Sequence, residues 1–188
     1  MIAIHSSCLL RFALTMYTLS NNTARAQDIN TDISASHQQK QLDTCLKFAI
    51  DPQTVGLLDS AFVQEVLAVK ATHILPVPNK PSCILGIIAR RRQVYWAIDL
   101  AMLLGLQPLD QDISLYEIVI VSAQTLSLAL IVPSVLGVVN IQGDRLESDV
   151  ALIPATLRPY IKGYINKDEK ISYLLRAENI LRSTILHS

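Results

Sequence analysis

Charge is what this sequence has least of. Sixteen Lys and Arg balance sixteen Asp and Glu, the net charge is zero, and only 17% of residues are charged, against about 25% in a typical soluble domain. With no basic surplus to neutralise phosphates, bulk binding of DNA or RNA is not expected. Cysteine is scarce too: Cys8, Cys45 and Cys83 are widely spaced, with no C-x-x-C pair and no His at metal-ligand spacing. That reads as small buried thiols in a cytoplasmic protein, with no zinc site. The six glycines form no Walker loop, no G-x-G-x-x-G and no G-x-S-x-G elbow, so backbone cradles for a nucleotide are missing and no cofactor is expected. The four histidines, His5, His37, His73 and His187, are far apart. Acidic residues such as Asp110, Asp112, Glu147 and Asp149 fall in loops, where a solvated turn is the simpler reading than a catalytic pair.

What the sequence has in excess is apolar character: 51% of residues, with mean hydropathy +0.35. The long uncharged run from Ile118 to Gly143 is 26 residues, enough to cross the roughly 30 Å bilayer core as a helix. Its Ser, Gln, Thr and Pro residues and its density of Ile and Val point instead to short strands separated by turns. At the other end, Ala24-Arg25-Ala26 has the small-x-small pattern of a secretory cleavage site, but no Lys or Arg precedes Arg11, and Arg11 interrupts the apolar stretch, so secretion is not expected. Ser20 to Gln41 is polar and cannot bury enough surface to offset ordering entropy, so residues 1–42 read as a tail and residues 43–188 as the folded domain.

Within that domain, Leu46, Phe48 and Ile50 alternate with Lys47 and Ala49 as in a half-buried strand that Asp51-Pro52 ends. From Ser60, Phe62, Val63, Val66 and Leu67 have helical spacing, which predicts one or two helical turns. Pro76, Pro78 and Pro81 mark an extended loop. Ile84–Ala89 and Val94–Leu100 flank Arg90, Arg91, Arg92 and Gln93 as a hairpin with a basic tip. Leu100–Leu106 predicts a short helix closed by Gly105. Tyr116–Ser122 and Leu126–Val132 form another strand pair, Val135–Ile141 a further extended run, Lys170–Leu175 a last strand, and Ala177–Leu186 a terminal helix with Ile180, Leu181 and Ile185 on one face. Many short strands with short helical inserts make the fold mainly β, a barrel or sandwich.

The stretch GIIARRRQVYWAIDLAMLLGL resembles the signature of the CheW-like family, scaffold proteins that couple chemoreceptors to a histidine kinase. Gly86, Arg91, Asp99, Leu100 and Gly105 fall at the matching places. CLKFAI with Gly56, the VQEV of Val63 to Val66, LPVPNKPSCILG and ISYLLRAENILRS fit in order, so the resemblance covers residues 43 to 185. Trp96, where many members have Pro, is similar to CheW-like proteins of cyanobacterial phototaxis and pilus motility. The resemblance implies a fold of two small SH3-like β-barrels on a shared core with a C-terminal helix. It also implies a non-catalytic adaptor whose partners are a methyl-accepting chemoreceptor and the regulatory domain of a CheA-type histidine kinase. In the family's terms VQEV corresponds to a short receptor-side helix.

By the same resemblance the partner-binding candidates are Val63, Glu65, Arg91, Arg92 and Asp99, with no catalytic, cofactor or metal residues. Val63 is equally a core position, and Asp99 is as well placed to order the strand-to-helix turn by accepting backbone N–H groups. Trp96, the only tryptophan, is expected in the core. Four departures stand out. Ala89 replaces the usual Asn and Arg92 the usual Gly of the turn, Pro133 lies where an Asp is common, and Arg176 sits where an Asp or Asn would cap the last helix. The alternatives are a small membrane-associated protein using Ile118 to Gly143 and an enzyme with an unrecognised acid-base pair.

Overall fold

A computed structural model describes residues 42–110, 114–142, 146–149, 153–167 and 170–187. The readings made for residues 1–41, including the tail, the cleavage-like pattern and Cys8, lie outside the described residues. Ten strands form two five-stranded sheets. In chain order they are β1 Leu42–Ala49, β2 Val55–Asp59, β3 Val63–Lys70, β4 Ile84–Arg90, β5 Gln93–Asp99, β6 Leu115–Ala123, β7 Leu126–Val132, β8 Ser134–Gln142, β9 Ile161–Lys167 and β10 Lys170–Leu175. Two short helices follow β5 and β10: α1 Leu100–Leu103 and α2 Ala177–Leu181.

The sheets are built alike. One has the order β8-β1-β2-β10-β9 and the other β3-β6-β7-β5-β4. In each, an edge hairpin (β9–β10 or β4–β5) lies with its second strand parallel to the second strand of another hairpin (β1–β2 or β6–β7). A lone strand, β8 or β3, completes each sheet antiparallel to β1 or β6. The backbone after each lone strand then bridges to the opposite edge, Glu147 to Tyr164 and Leu75 to Ile87, so that each sheet curls toward a small SH3-like barrel. Both bridges sit beside a glycine. A Cβ on Gly86 would lie 2.2 Å from the Leu75 carbonyl oxygen, and one on Gly163 would lie 2.6 Å from that of Glu147. Barrel B, β3–β7, is continuous in sequence. Barrel A takes β1 and β2 from one end of the described chain and β8–β10 from the other.

The apolar excess is explained by burial on two faces. On β6, Ile118 and Ile120 join the core inside barrel B, while Val119 and Val121 join a larger core shared with barrel A. On β7, Ala129 and Ile131 face the first core and Leu128, Leu130 and Val132 the second. A strand covered on both sides has no polar face, so its sequence reads as a continuous hydrophobic run. Among the described residues no helix is long and apolar enough to cross a membrane. From barrel A, Leu46, Phe48, Ile50, Leu58, Tyr164 and Tyr173 enter the shared core, and α2 adds Ile180 and Leu181 while packing on β6 and β7.

Three expectations are corrected. The segment from Ser60 is a single 3₁₀ turn, Ser60–Phe62, capped by the Asp59 carboxylate, and VQEV then runs as a strand and not as a helix. The ladder to β6 and three β-branched valines outweigh the helical spacing. β2 and β9 are strands where none was expected. The terminal helix stops at Leu181 and resumes as a 3₁₀ turn over Thr184–His187, leaving Ile185 43% exposed and not on the buried face.

A candidate docking surface around the β4–β5 hairpin

The hairpin tip has two residues between the paired Arg90 and Gln93. Both, Arg91 (φ 48°) and Arg92 (φ 66°), have positive φ. That is the type I′ pattern, whose twist suits a two-residue hairpin but which ordinarily selects Gly, Asn or Asp. The tip thus keeps the turn despite replacing the glycine, and two arginines bear the conformational strain.

β3 and β4 are the two edges of barrel B, and an ion pair links them. Arg90 donates from Nη2 to Glu65 Oε1 at 2.7 Å and from Nε to Oε2 at 3.4 Å, a two-pronged grip. Arg91 Nη2 reaches Oε1 more loosely, at 3.3 Å. The carboxylate holds the Arg90 guanidinium pKa above its usual value. The structure therefore brings Glu65, Arg91 and Arg92 to one end of barrel B, and it adds Arg90, which the family comparison in the sequence had passed over because the turn Arg lay one residue on.

The other two candidates are buried, and Asp99 lies at the end of β5 away from the tip. Asp99 is 2% exposed; Oδ1 accepts the Met102 N–H at 3.0 Å, capping α1, and Oδ2 accepts the Leu109 N–H at 3.1 Å. Both oxygens accept backbone N–H groups, so Asp99 orders the chain leaving β5. Val63 is 9% exposed within the shared core, across from Val121.

Trp96 was expected in the core, but it is 38% exposed. It pairs with Ile87 on β4, lies on the same face as Val94, and Lys80 Nζ stands 5.7 Å from its ring centroid. Along β5 that face runs from buried Ile98 through Trp96 to Val94, which is 64% exposed. An apolar strip thus emerges from the shared core toward the arginine tip. Among the described residues no three His, Cys, Asp or Glu side chains converge as metal ligands. Cys45 and Cys83 are buried free thiols, and burial pushes the Cys45 thiol up to about 12.

Two linked β-barrels carrying an exposed apolar strip and a charged hairpin tip define a small all-β module. The sequence model of the CheW-like domain matches residues 44–184, three quarters of the chain, and the chain belongs to this family of non-catalytic chemotaxis scaffolds. Among the solved structures that match is the scaffolding protein TtCheW from Thermoanaerobacter tengcongensis, with a TM-score of 0.63 at 23% identity, over 72% of this chain and 90% of that one. It supports the fold. No curated protein matches.

Proposed function

We propose that this chain is a cytoplasmic, non-catalytic adaptor that couples a methyl-accepting receptor to the regulatory domain of a CheA-type histidine kinase, in chemotaxis, phototaxis or twitching motility. The observation that supports it is the family match across both barrels, with Glu65 and Arg91 meeting where two elements of the resemblance converge. Such a scaffold acts by holding two partners at once, and it needs exposed strands with few charges at their centres. The strip of Ile87, Val94 and Trp96 and the low charged fraction suit that need. In this reading Glu65, Arg91 and Arg92 meet partners directly, while Val63 and Asp99 hold the strands that present them.

The test is a titration of the full chain with the purified kinase regulatory domain and, separately, with a soluble receptor-tip fragment. Binding at micromolar concentration and a ternary complex on size-exclusion chromatography are expected. Failure of both pairs to associate at that concentration would refute the adaptor reading.

A further inference from the structure

We propose that the β8 edge of barrel A is the docking site for this chain's own segment Leu10 to Tyr17, which adds as a strand along β8 and covers Leu136 and Val138. The proposal goes beyond the adaptor reading and does not depend on it.

The two lone strands carry the argument. Each breaks register once, β3 between Val63 and Glu65 and β8 between Val135 and Gly137. In both, valines three residues apart flank the slip, Val63 with Val66 and Val135 with Val138, so Leu136 and Gly137 stand where β3 has Gln64 and Glu65. On β3 both valines pack into the shared core, and Glu65 is gripped by Arg90 from the opposite edge. On β8, Val135 packs there, but Val138 is 39% exposed and Leu136 is 53% exposed. A Cβ on Gly137 would meet no atom within 4 Å, whereas Gly86 and Gly163 each lie against passing backbone. β8 also ends its sheet, so among the described residues no strand pairs with its outer edge. An open edge with an apolar face is a template for one more strand.

The chain carries a segment that fits. Leu10, Phe12, Leu14 and Met16 alternate with Arg11, Ala13, Thr15 and Tyr17, the period of a strand with one apolar face. Arg11 is the single Lys, Arg, Asp or Glu among residues 1–19. The chain enters β1 at Leu42, opposite Gln142, so the link from Ser20 to Gln41 is anchored at the far end of β8. Leu136 lies about 20 Å from there at strand rise, and an unstructured link of 22 residues has a root-mean-square reach of about 25 Å. A tether matched to its span gives an effective concentration of order millimolar. A second copy at micromolar concentration competes at a disadvantage of about a thousandfold. A membrane would take the apolar segment but leave Leu136 and Val138 uncovered.

The experiment is amide hydrogen exchange by NMR on the full chain at about 1 μM and about 100 μM, or the lowest workable concentration above the first. It compares wild type, Phe12→Asp/Leu14→Asp and Leu136→Asp/Val138→Asp. In wild type the amides of residues 10–17, and those of β8 that point away from β1, are expected to be slowed by about tenfold or more at both concentrations. Each double variant should remove that protection from the other stretch as well as its own. Phe12→Asp/Leu14→Asp changes no residue of either barrel, so it tests the contact with the fold kept. Unprotected amides at residues 10–17 in wild type overturn the proposal, and so does protection of the outer β8 amides that survives Phe12→Asp/Leu14→Asp. Protection that grows with concentration assigns the edge to a second copy, and protection of residues 10–17 that needs added phosphatidylglycerol vesicles assigns the segment to a membrane; either result overturns it too. The kinase and receptor titrations are read separately, so the adaptor reading stands or falls on its own.

Discussion

Barrels A and B share one arrangement of five strands, yet they are held together differently. Among the described residues, barrel B has its own core of nine buried residues, including Ile74, Ile88, Tyr95 and Tyr116, and its chain is unbroken from β3 to β7. Among the same residues, barrel A has Cys45, Leu57, Ile141 and Leu174 in its private cluster and commits most of its large side chains to the shared core. Equivalent positions show the division. The cross-strand pair Tyr164–Tyr173 of barrel A is buried, with ring centroids 6.5 Å apart. The corresponding pair in barrel B, Ile87–Trp96, is left partly open. One barrel buries this face in the fold, and the other leaves it partly open to solvent. The lesson extends to the helix starts: Asp99 caps α1 with its carboxylate, whereas Arg176 at the start of α2 makes no side-chain cap and donates instead to the Ile161 carbonyl.

The comparison can be broken most severely at the two bridge glycines. Gly86→Ala should cost roughly 4 kcal/mol or more, because its Cβ would meet backbone at a φ of 151° that alanine avoids. Gly163→Ala meets a backbone oxygen at somewhat greater distance without that φ and should cost less, about 3 kcal/mol. Urea midpoints of both variants check the order. Next come two adjacent leucines. Leu58→Ala, in the shared core, should cost about 3–4 kcal/mol, and Leu57→Ala, in the small core of barrel A, about 2–3 kcal/mol. Both should unfold in one cooperative transition, and two resolved transitions would show that the barrels are independent.

A smaller contrast lies at the caps. Asp99→Ala removes a cap and strands the Leu109 N–H, a loss of about 2–3 kcal/mol, while Arg176→Ala should stay under about 1 kcal/mol. The finest comparison uses the thiols in a Cys8→Ser background. Burial raises the pKa of both Cys45 and Cys83, so each holds its proton longer when folded than when unfolded. For Cys45 that stabilisation is present below the unfolded value near 9 and is lost as pH climbs from about 9 toward about 12. At pH 8, thiol labelling should proceed at matching slow rates if the barrels open together, and faster labelling of Cys45 would reveal local opening of barrel A.

Where strands have a single pattern and a clear turn, the sequence was readable. The β4–β5 and β6–β7 hairpins, β1 and β10 follow from alternation, Asp51-Pro52 and the polar turns. β3 was misread because of a bulge: register slips between Val63 and Glu65, so Val63 and Val66 reach the same shared core at a spacing of three, which imitates a helix. β9 was missed because Gly163 and two lysines dilute its pattern, and the need for that glycine is visible only once the Glu147 carbonyl stands against it. At the site, family likeness found Glu65 and Arg91. The competing grip of Arg90 and the exposure of Trp96 depend on how barrel edges meet, which no local pattern encodes.

The interleaved order of the strands also governs how the chain is made. Barrel B emerges from the ribosome in one piece and can close as soon as β7 is out. β1 and β2 are synthesised first but must wait for β8, β9 and β10, on the order of a hundred residues later, a delay of about ten seconds at ordinary elongation rates. During that interval Phe48 and Leu58 have no finished core, so the nascent β1–β2 hairpin is the stretch for which a chaperone has the longest opportunity.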